Sequence, residues 1–216
     1  FSENRLNSVM MNCLSATDEM FKGIDYILVQ GDTTSVVGLA LNAMHNKVKI
    51  IHLEAGLRTH DLENPYPEEY NRKIVSSIAS IHLCPTSYNR ETLISEGVEW
   101  EDIHVVGNTV IDNLVEYKKD CEYQDTVLVT MHRRENHDRL DEWFKEINQL
   151  AKDNSDLTFI LPLHPNPNVQ KHKQLLTNIS IVDPLPHDKL VKLLVKTKLV
   201  ITDSGGIQEE CSYFNK

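Results

Sequence analysis

The sequence has no CxxC pair, no long apolar run and no excess of basic charge. Its four cysteines, Cys13, Cys84, Cys121 and Cys211, are widely separated, which argues against both a disulfide framework and a zinc site. No metal is expected. The thiols are expected to be reduced and mostly buried, as suits a cytoplasmic protein. Lys and Arg number 22 against 32 Asp and Glu, a net charge of −10. That balance argues against a general nucleic-acid binder, which needs a Lys/Arg surface to meet phosphates. It leaves room for a local basic pocket around one phosphate group. No apolar stretch approaches a membrane span and no secretory signal opens the chain, so no membrane association is expected. The chain opens at Phe1 inside a helical pattern and closes at Lys216 shortly after a Gly-Gly turn, so a fragment of a longer polypeptide is expected.

Apolar residues make up 40% of the 216, enough to bury a core in one large domain or two small ones. Short β-branched runs occur at 26–30, 48–53, 81–84, 103–106, 126–131, 157–161, 179–182 and 199–202, with helical patterns between them. The clearest helix is 138–153, where Leu140, Trp143, Phe144, Ile147, Leu150 and Ala151 fall on one stripe. Strands alternating with helices imply βαβ units and parallel sheets covered on both faces, an α/β fold. The stretch 112–125 is charged (Glu116, Lys118, Lys119, Asp120, Glu122) and reads as a domain junction. It divides the chain into two Rossmann-like halves, 1–116 and 117–216.

Open parallel sheets bind ligands beyond the carboxyl ends of their strands, and the unusual polar residues fall there repeatedly. The strand ends lead into Gly31-Asp32-Thr33-Thr34, Glu54-Ala55-Gly56-Leu57-Arg58-Thr59, His132-Arg133-Arg134-Glu135-Asn136, His164-Pro165-Asn166-Pro167-Asn168 and Asp203-Ser204-Gly205-Gly206. Each alone has an ordinary reading. Asp32 suits a helix N-cap, with Thr33 or Thr34 sharing the role, and the Arg133-Arg134-Glu135 run suits a solvated ion-pair patch. Five together favour one site. Ser204-Gly205-Gly206 joins a strand to a helix start, whose free N–H groups face an anion such as a pyrophosphate. Glu210, a turn further on, suits ribose hydroxyls. In Pro65-Tyr66-Pro67-Glu68-Glu69-Tyr70-Asn71-Arg72, Pro67 suits the first helical position. Glu68 and Arg72 share a face there at i and i+4, as a surface salt bridge or as a carboxylate held by a guanidinium.

Taken together, these segments resemble the non-hydrolysing UDP-N-acetylglucosamine 2-epimerases. The resemblance rests on the strings HLEAGLRT (from His52), PEEYNR (from Pro67), HRREN (from His132) and SGGIQEE (from Ser204), with Gln30-Gly31-Asp32-Thr33-Thr34 and Gly107-Asn108-Thr109 in the same order. It covers nearly the whole chain. It implies a GT-B-like pair of Rossmann-like domains, both incomplete in this segment, with the nucleotide sugar between them. It also implies a cytoplasmic homodimer in polysaccharide biosynthesis that uses no cofactor. By motif position, Asp32, Glu54 and Glu68 fall on catalytic carboxylates and His132 on the active-site histidine. Arg72, Ser204, Gly205, Gly206 and Glu210 fall on substrate-binding positions, and Arg133 and His164 in stretches tied to substrate or effector contacts. The implied reaction interconverts UDP-N-acetylglucosamine and UDP-N-acetylmannosamine by eliminating UDP to 2-acetamidoglucal and adding it back.

There are departures. The family's early phosphate-contacting turn and its segments beyond SGGIQEE are absent, and Pro165 stands where Leu is more usual. The 216 residues alone are therefore expected to be poorly stable and inactive. The rival readings are a UDP-sugar-dependent GT-B glycosyltransferase, a 2-epimerase for a UDP-diacetamido sugar, and a non-catalytic nucleotide-sugar binder.

Overall fold

All eight apolar runs form parallel strands in the computed structural model, which describes residues 5–120 and 123–216. Phe1 and Cys121 lie outside the described residues, as do the side chains of Arg134 and Glu135. The chain divides into two units, Phe1–Thr109 and Val110–Lys216.

The first unit contains α1 (Arg5–Leu14), β1 (Tyr26–Gln30), α2 (Thr34–His45), β2 (Lys49–Leu53), α3 (Glu68–Ile78), β3 (Ile81–Cys84), α4 (Ser87–Ser95) and β4 (Ile103–Val105). Its sheet order is β1-β2-β3-β4. Gln30 pairs in register with Leu53, so β1 and β2 end side by side and the loops carrying Asp32 and Glu54 leave the sheet together. Val29, Val37, Ala40, Ile50 and Val75 form the core between sheet and helices.

The helix α5 (Thr109–Asp112) spans the division. The second unit continues with β5 (Thr126–Thr130), α6 (Leu140–Asp153), β6 (Thr158–Pro162), α7 (Pro167–Gln170), β7 (Ser180–Val182), α8 (His187–Leu194), β8 (Leu199–Thr202) and α9 (Gly205–Tyr213). Its sheet order is β7-β6-β5-β8. Central β5 feeds two cores, because alternate side chains leave opposite faces. Val127 and Val129 pack with Leu140 and Phe144 of α6, whereas Leu128 packs with Val191, Leu194 and Ile207. Leu114, fully buried, joins this second core, which draws the chain ahead of the charged stretch into the second unit.

The α6 stripe is narrower than its periodicity suggested. Leu140, Phe144, Ile147 and Ala151 are buried, but Trp143 and Leu150 are 37% and 43% exposed at its edges. Cys13, Cys84 and Cys211 are free thiols, and the last two are buried. Among the described residues no helix is long and apolar enough to cross a membrane, and no cluster of three or more His, Cys, Asp or Glu could hold a metal ion.

Candidate functional site

In the first unit the carboxyl ends of β1 and β2 are built around the Gly31 peptide. The Gly31 N–H donates to the Leu53 carbonyl at 3.1 Å, and the Gly31 carbonyl lies 2.9 Å from His52 Nε2. Gly31 has φ +78°, and a Cβ there would sit 3.5 Å from Glu54 Oε2, so the Glu54 carboxylate overlies the turn that presents Asp32. Glu54 itself adopts φ +65°. Such left-handed backbone costs a non-glycine residue on the order of 1–2 kcal/mol. Its carboxylate accepts a 2.6 Å hydrogen bond from Gln30 Nε2.

Asp32 does not cap α2. Thr33 does, its hydroxyl accepting from the Val36 N–H at 3.4 Å. The Asp32 carboxylate is left to meet Arg72, whose Nε and Nη2 donate to Oδ2 at 2.9 and 2.7 Å. Asn71 Nδ2 holds the Asp32 carbonyl at 2.7 Å, which ties the first loop to α3. Arg72 does not pair with Glu68. Its other arm, Nη1, donates to Glu69 at 3.0 Å. Glu69 is fully buried, and a buried carboxylate without a counter-charge is far more costly than an exposed one. Pro67 forms the N-cap, so α3 starts at Glu68 and both acidic residues lie at its positive end. Glu68 keeps one buried carboxylate oxygen, Oε2, with no hydrogen-bond partner. Asp32, Glu54 and Glu68 thus share one end of the first unit. A cavity of about 420 Å³ in that unit, lined by Lys73, Ser76, His82, Glu96 and Asp102, lies instead at the amino ends of β3 and β4.

In the second unit the organiser is Asp203, directly after β8. Its carboxylate accepts the backbone N–H of His132 at 3.1 Å, that of Arg133 at 2.9 Å and Asn136 Nδ2 at 3.1 Å. The loop after β5 is thereby folded onto the start of α9. The His132 and His164 rings stack with centroids 5.0 Å apart and planes 6° from parallel. His164 Nδ1 accepts the Asn166 N–H at 3.1 Å. Partial burial and the neighbouring His132 and His137 hold His164 below the usual imidazole range, which favours a neutral ring. Ser204 is the N-cap of α9 without a side-chain capping bond. Arg133 Nη2 lies 3.2 Å from where a Gly205 Cβ would be, while Gly206 faces open space. The first-turn N–H groups and a guanidinium therefore flank one spot, an arrangement suited to a phosphate. Glu210 is buried, with Oε1 3.1 Å from His187 Nε2 and Oε2 unpartnered.

The family model described as UDP-N-acetylglucosamine 2-epimerase matches residues 2–216. The chain belongs to the UDP-N-acetylglucosamine 2-epimerase family. It is 42% identical to the Campylobacter jejuni enzyme of that name, over 88% of this chain and 56% of the relative. Against the Neisseria meningitidis serogroup A enzyme it is 36% identical, over 98% of this chain and 63% of the relative. The N. meningitidis 2-epimerase bound to UDP-GlcNAc superposes with a TM-score of 0.87 at 34% identity, covering 100% of this chain and 65% of that one. S. aureus MnaA with UDP gives 0.88 at 33%, covering 99% and 63%. The parallel α/β fold is thus that of solved 2-epimerases, and the chain spans less than two thirds of each of these relatives.

Several residues of this candidate site escaped sequence reasoning. Glu69 and Asn71 stood inside a quoted motif, and the i, i+3 spacing of Glu69 and Arg72 was available as a signal. Asp203 stood at the head of a strand-end string, but its partners, 67 or more positions away, could not be read from it, and His187, 23 positions from Glu210, gave no signal.

Proposed function

We propose that this chain carries the C2-inverting machinery of a non-hydrolysing enzyme interconverting UDP-N-acetylglucosamine and UDP-N-acetylmannosamine. What supports this reading is that Asp32 and Glu54 leave adjacent strand ends and Glu68 opens α3, the helix whose Arg72 holds Asp32. The C2 proton of the sugar is not acidic at rest, because no carbonyl adjoins C2. As the bond from C1 to the diphosphate oxygen stretches, C1 gains positive character and the C2–H bond weakens. A carboxylate removes the proton, the C–H electron pair becomes the C1–C2 double bond, and UDP leaves with the C1–O pair. The product is 2-acetamidoglucal. Protonation at C2 from the opposite face and return of UDP to C1 complete the inversion. No electron is gained or lost overall, so no redox cofactor is required.

The α9 start at Ser204, Gly205 and Gly206, together with His132 and Arg133, stabilises the departing diphosphate. Glu210 receives ribose hydroxyls, and Arg72 keeps Asp32 in place beside the sugar. The enzyme works as a cytoplasmic homodimer supplying polysaccharide synthesis. Proton NMR of the full-length protein with UDP-N-acetylglucosamine in heavy water tests the reading. Deuterium entering C2 alongside new N-acetylmannosamine signals is the expected result. UDP release that requires an acceptor, without C2 exchange, would replace it with sugar transfer.

A further inference from the structure

We infer that Glu69 is a positioning residue for the C2 chemistry, acting through Arg72 on Asp32; the inference rests on the function proposed above. Glu69 is 0% exposed and both of its oxygens accept hydrogen bonds. Oε2 accepts the Thr59 N–H at 3.1 Å and Arg72 Nη1 at 3.0 Å, and Oε1 accepts the His60 N–H at 3.1 Å. Burial alone pushes this carboxyl up, but the Thr59 N–H, the Arg72 guanidinium and the His60 N–H outweigh it and hold it below the usual range. The group is therefore an anion at depth.

Its position decides what Arg72 can do. A guanidinium is a rigid planar fork. With Nη1 held on Glu69, the opposite edge, Nε and Nη2, is turned to Asp32 Oδ2. Asp32 is thus placed by a side chain that does not touch it. The same carboxylate closes the loop after β2 through two consecutive N–H groups, at a point where His60 takes φ +62°. One buried anion consequently sets the loop after β2, the start of α3 and, through Arg72, the loop after β1. Glu68, the neighbouring carboxylate, has no comparable set of partners and keeps a buried oxygen unpartnered, which separates a reacting group from the group that aligns the site.

The test uses the full-length protein with Glu69→Gln, which keeps size but removes the charge that anchors Nη1. The kcat for C2 exchange is expected to fall by about 10- to 100-fold, as for a reacting group displaced by a fraction of an ångström, with KM changing little. The Asp32→Asn/Glu69→Gln double variant should be no slower than Asp32→Asn alone. The Arg72 Nε–H signal, read by ¹⁵N NMR in the substrate-free protein, should lose its protection from exchange with water in Glu69→Gln. If the Gln variant does not fold, Glu69→Asp carries the same test, since it keeps the charge but is one methylene too short to span Thr59, His60 and Arg72 together. Unchanged kcat per folded molecule, additive losses in the double variant, or an unmoved Arg72 signal would each overturn the inference. Wild-type protein without C2 exchange would remove the functional reading instead, while the Arg72 signal would still report whether Glu69 fixes the guanidinium.

Discussion

Acid should unfold the first unit earlier than its carboxylates alone would dictate, because two histidines are buried side by side in its sheet. His52 on β2 and His82 on β3 are register partners, each 1% exposed, with both Nδ1 atoms unpartnered. Burial, reinforced by the adjacent His52, pushes His82 from 6.5 down to about 4, against the opposing pull of Asp102 and the Ala79 backbone. Burial lowers His52 as well. The unfolded chain therefore binds the proton first. The stabilisation from a neutral His82 is complete above about pH 6.5 and drains as pH falls toward about 4. That depression corresponds to a ceiling of about 3 kcal/mol, of which about 2 kcal/mol should be lost between pH 7.5 and 5. Replacing the imidazole by a side chain that cannot titrate should abolish this portion of the slope. Hydrogen exchange of β2 and β3 amides, corrected for intrinsic rates and followed at both pH values, measures it in the full-length protein. His82→Leu and His82→Gln are expected to lose about 2 kcal/mol less than wild type over that interval, whatever their stability at pH 7.5. If both variants lose as much on acidification as wild type, His82 is not the group being titrated and the reasoning fails.

Three further substitutions separate the roles read from the site. Gly56→Ala should destabilise the first unit by about 3 kcal/mol, measured by urea denaturation, because Gly56 has φ +84° and a Cβ would run into the Asn89 carbonyl at the start of α4. Gly206→Ala meets no neighbour and should raise stability by about 0.5 kcal/mol while weakening UDP binding by calorimetry, if the α9 start approaches a diphosphate closely. Asp203→Ala should weaken UDP binding by about tenfold or more, because the His132–Arg133 backbone loses its anchor. The unpaired donors should also cost about 2 kcal/mol in a thermal melt.

The strands were legible because buried parallel strands are mostly apolar, and short runs rich in Val, Ile and Leu between turn signals leave few alternatives. Ile81–Cys84 and Leu199–Thr202 were read to the residue. Helix faces were read less well. Trp143 and Leu150 kept the helical spacing yet lie on the rim of the α6 stripe, since periodicity fixes a direction but not the width of the surface waiting for it. Pairing was the least legible. Glu68 and Arg72 had ideal i, i+4 spacing, but helix geometry offered Arg72 two carboxylates, and burial decided between them. Glu69 sits inside the protein where an unpaired charge is intolerable, and Asp32 arrives from a loop 40 positions away. Capping went the same way: Asp32 and Thr33 could each have closed α2, and the guanidinium claimed Asp32.

These outcomes share a physical cause that bears on where the chemistry lies. Of the three carboxylates proposed to react, the fold leaves two imperfectly settled and draws the third away from its helix to Arg72. Glu54 sits in strained left-handed backbone, Glu68 holds a buried oxygen without a partner, and Asp32 is excluded from the helix cap beside it. The better-partnered carboxylates act as anchors: Glu69 gathers two backbone N–H groups and the Arg72 guanidinium and reaches Asp32 only through it, and Asp203 gathers the His132 and Arg133 N–H groups. A fold of marginal stability tolerates a few kcal/mol of local strain only where neighbouring contacts compensate for it. In the first unit Glu69 lies immediately beside Glu68 in sequence and reaches Asp32 through Arg72. Removing a satisfied carboxylate should therefore harm stability and alignment together. Replacing Glu68 by Gln should leave the fold intact and stop proton transfer at C2, because that substitution removes an acid–base group whose buried oxygen the native contacts never used.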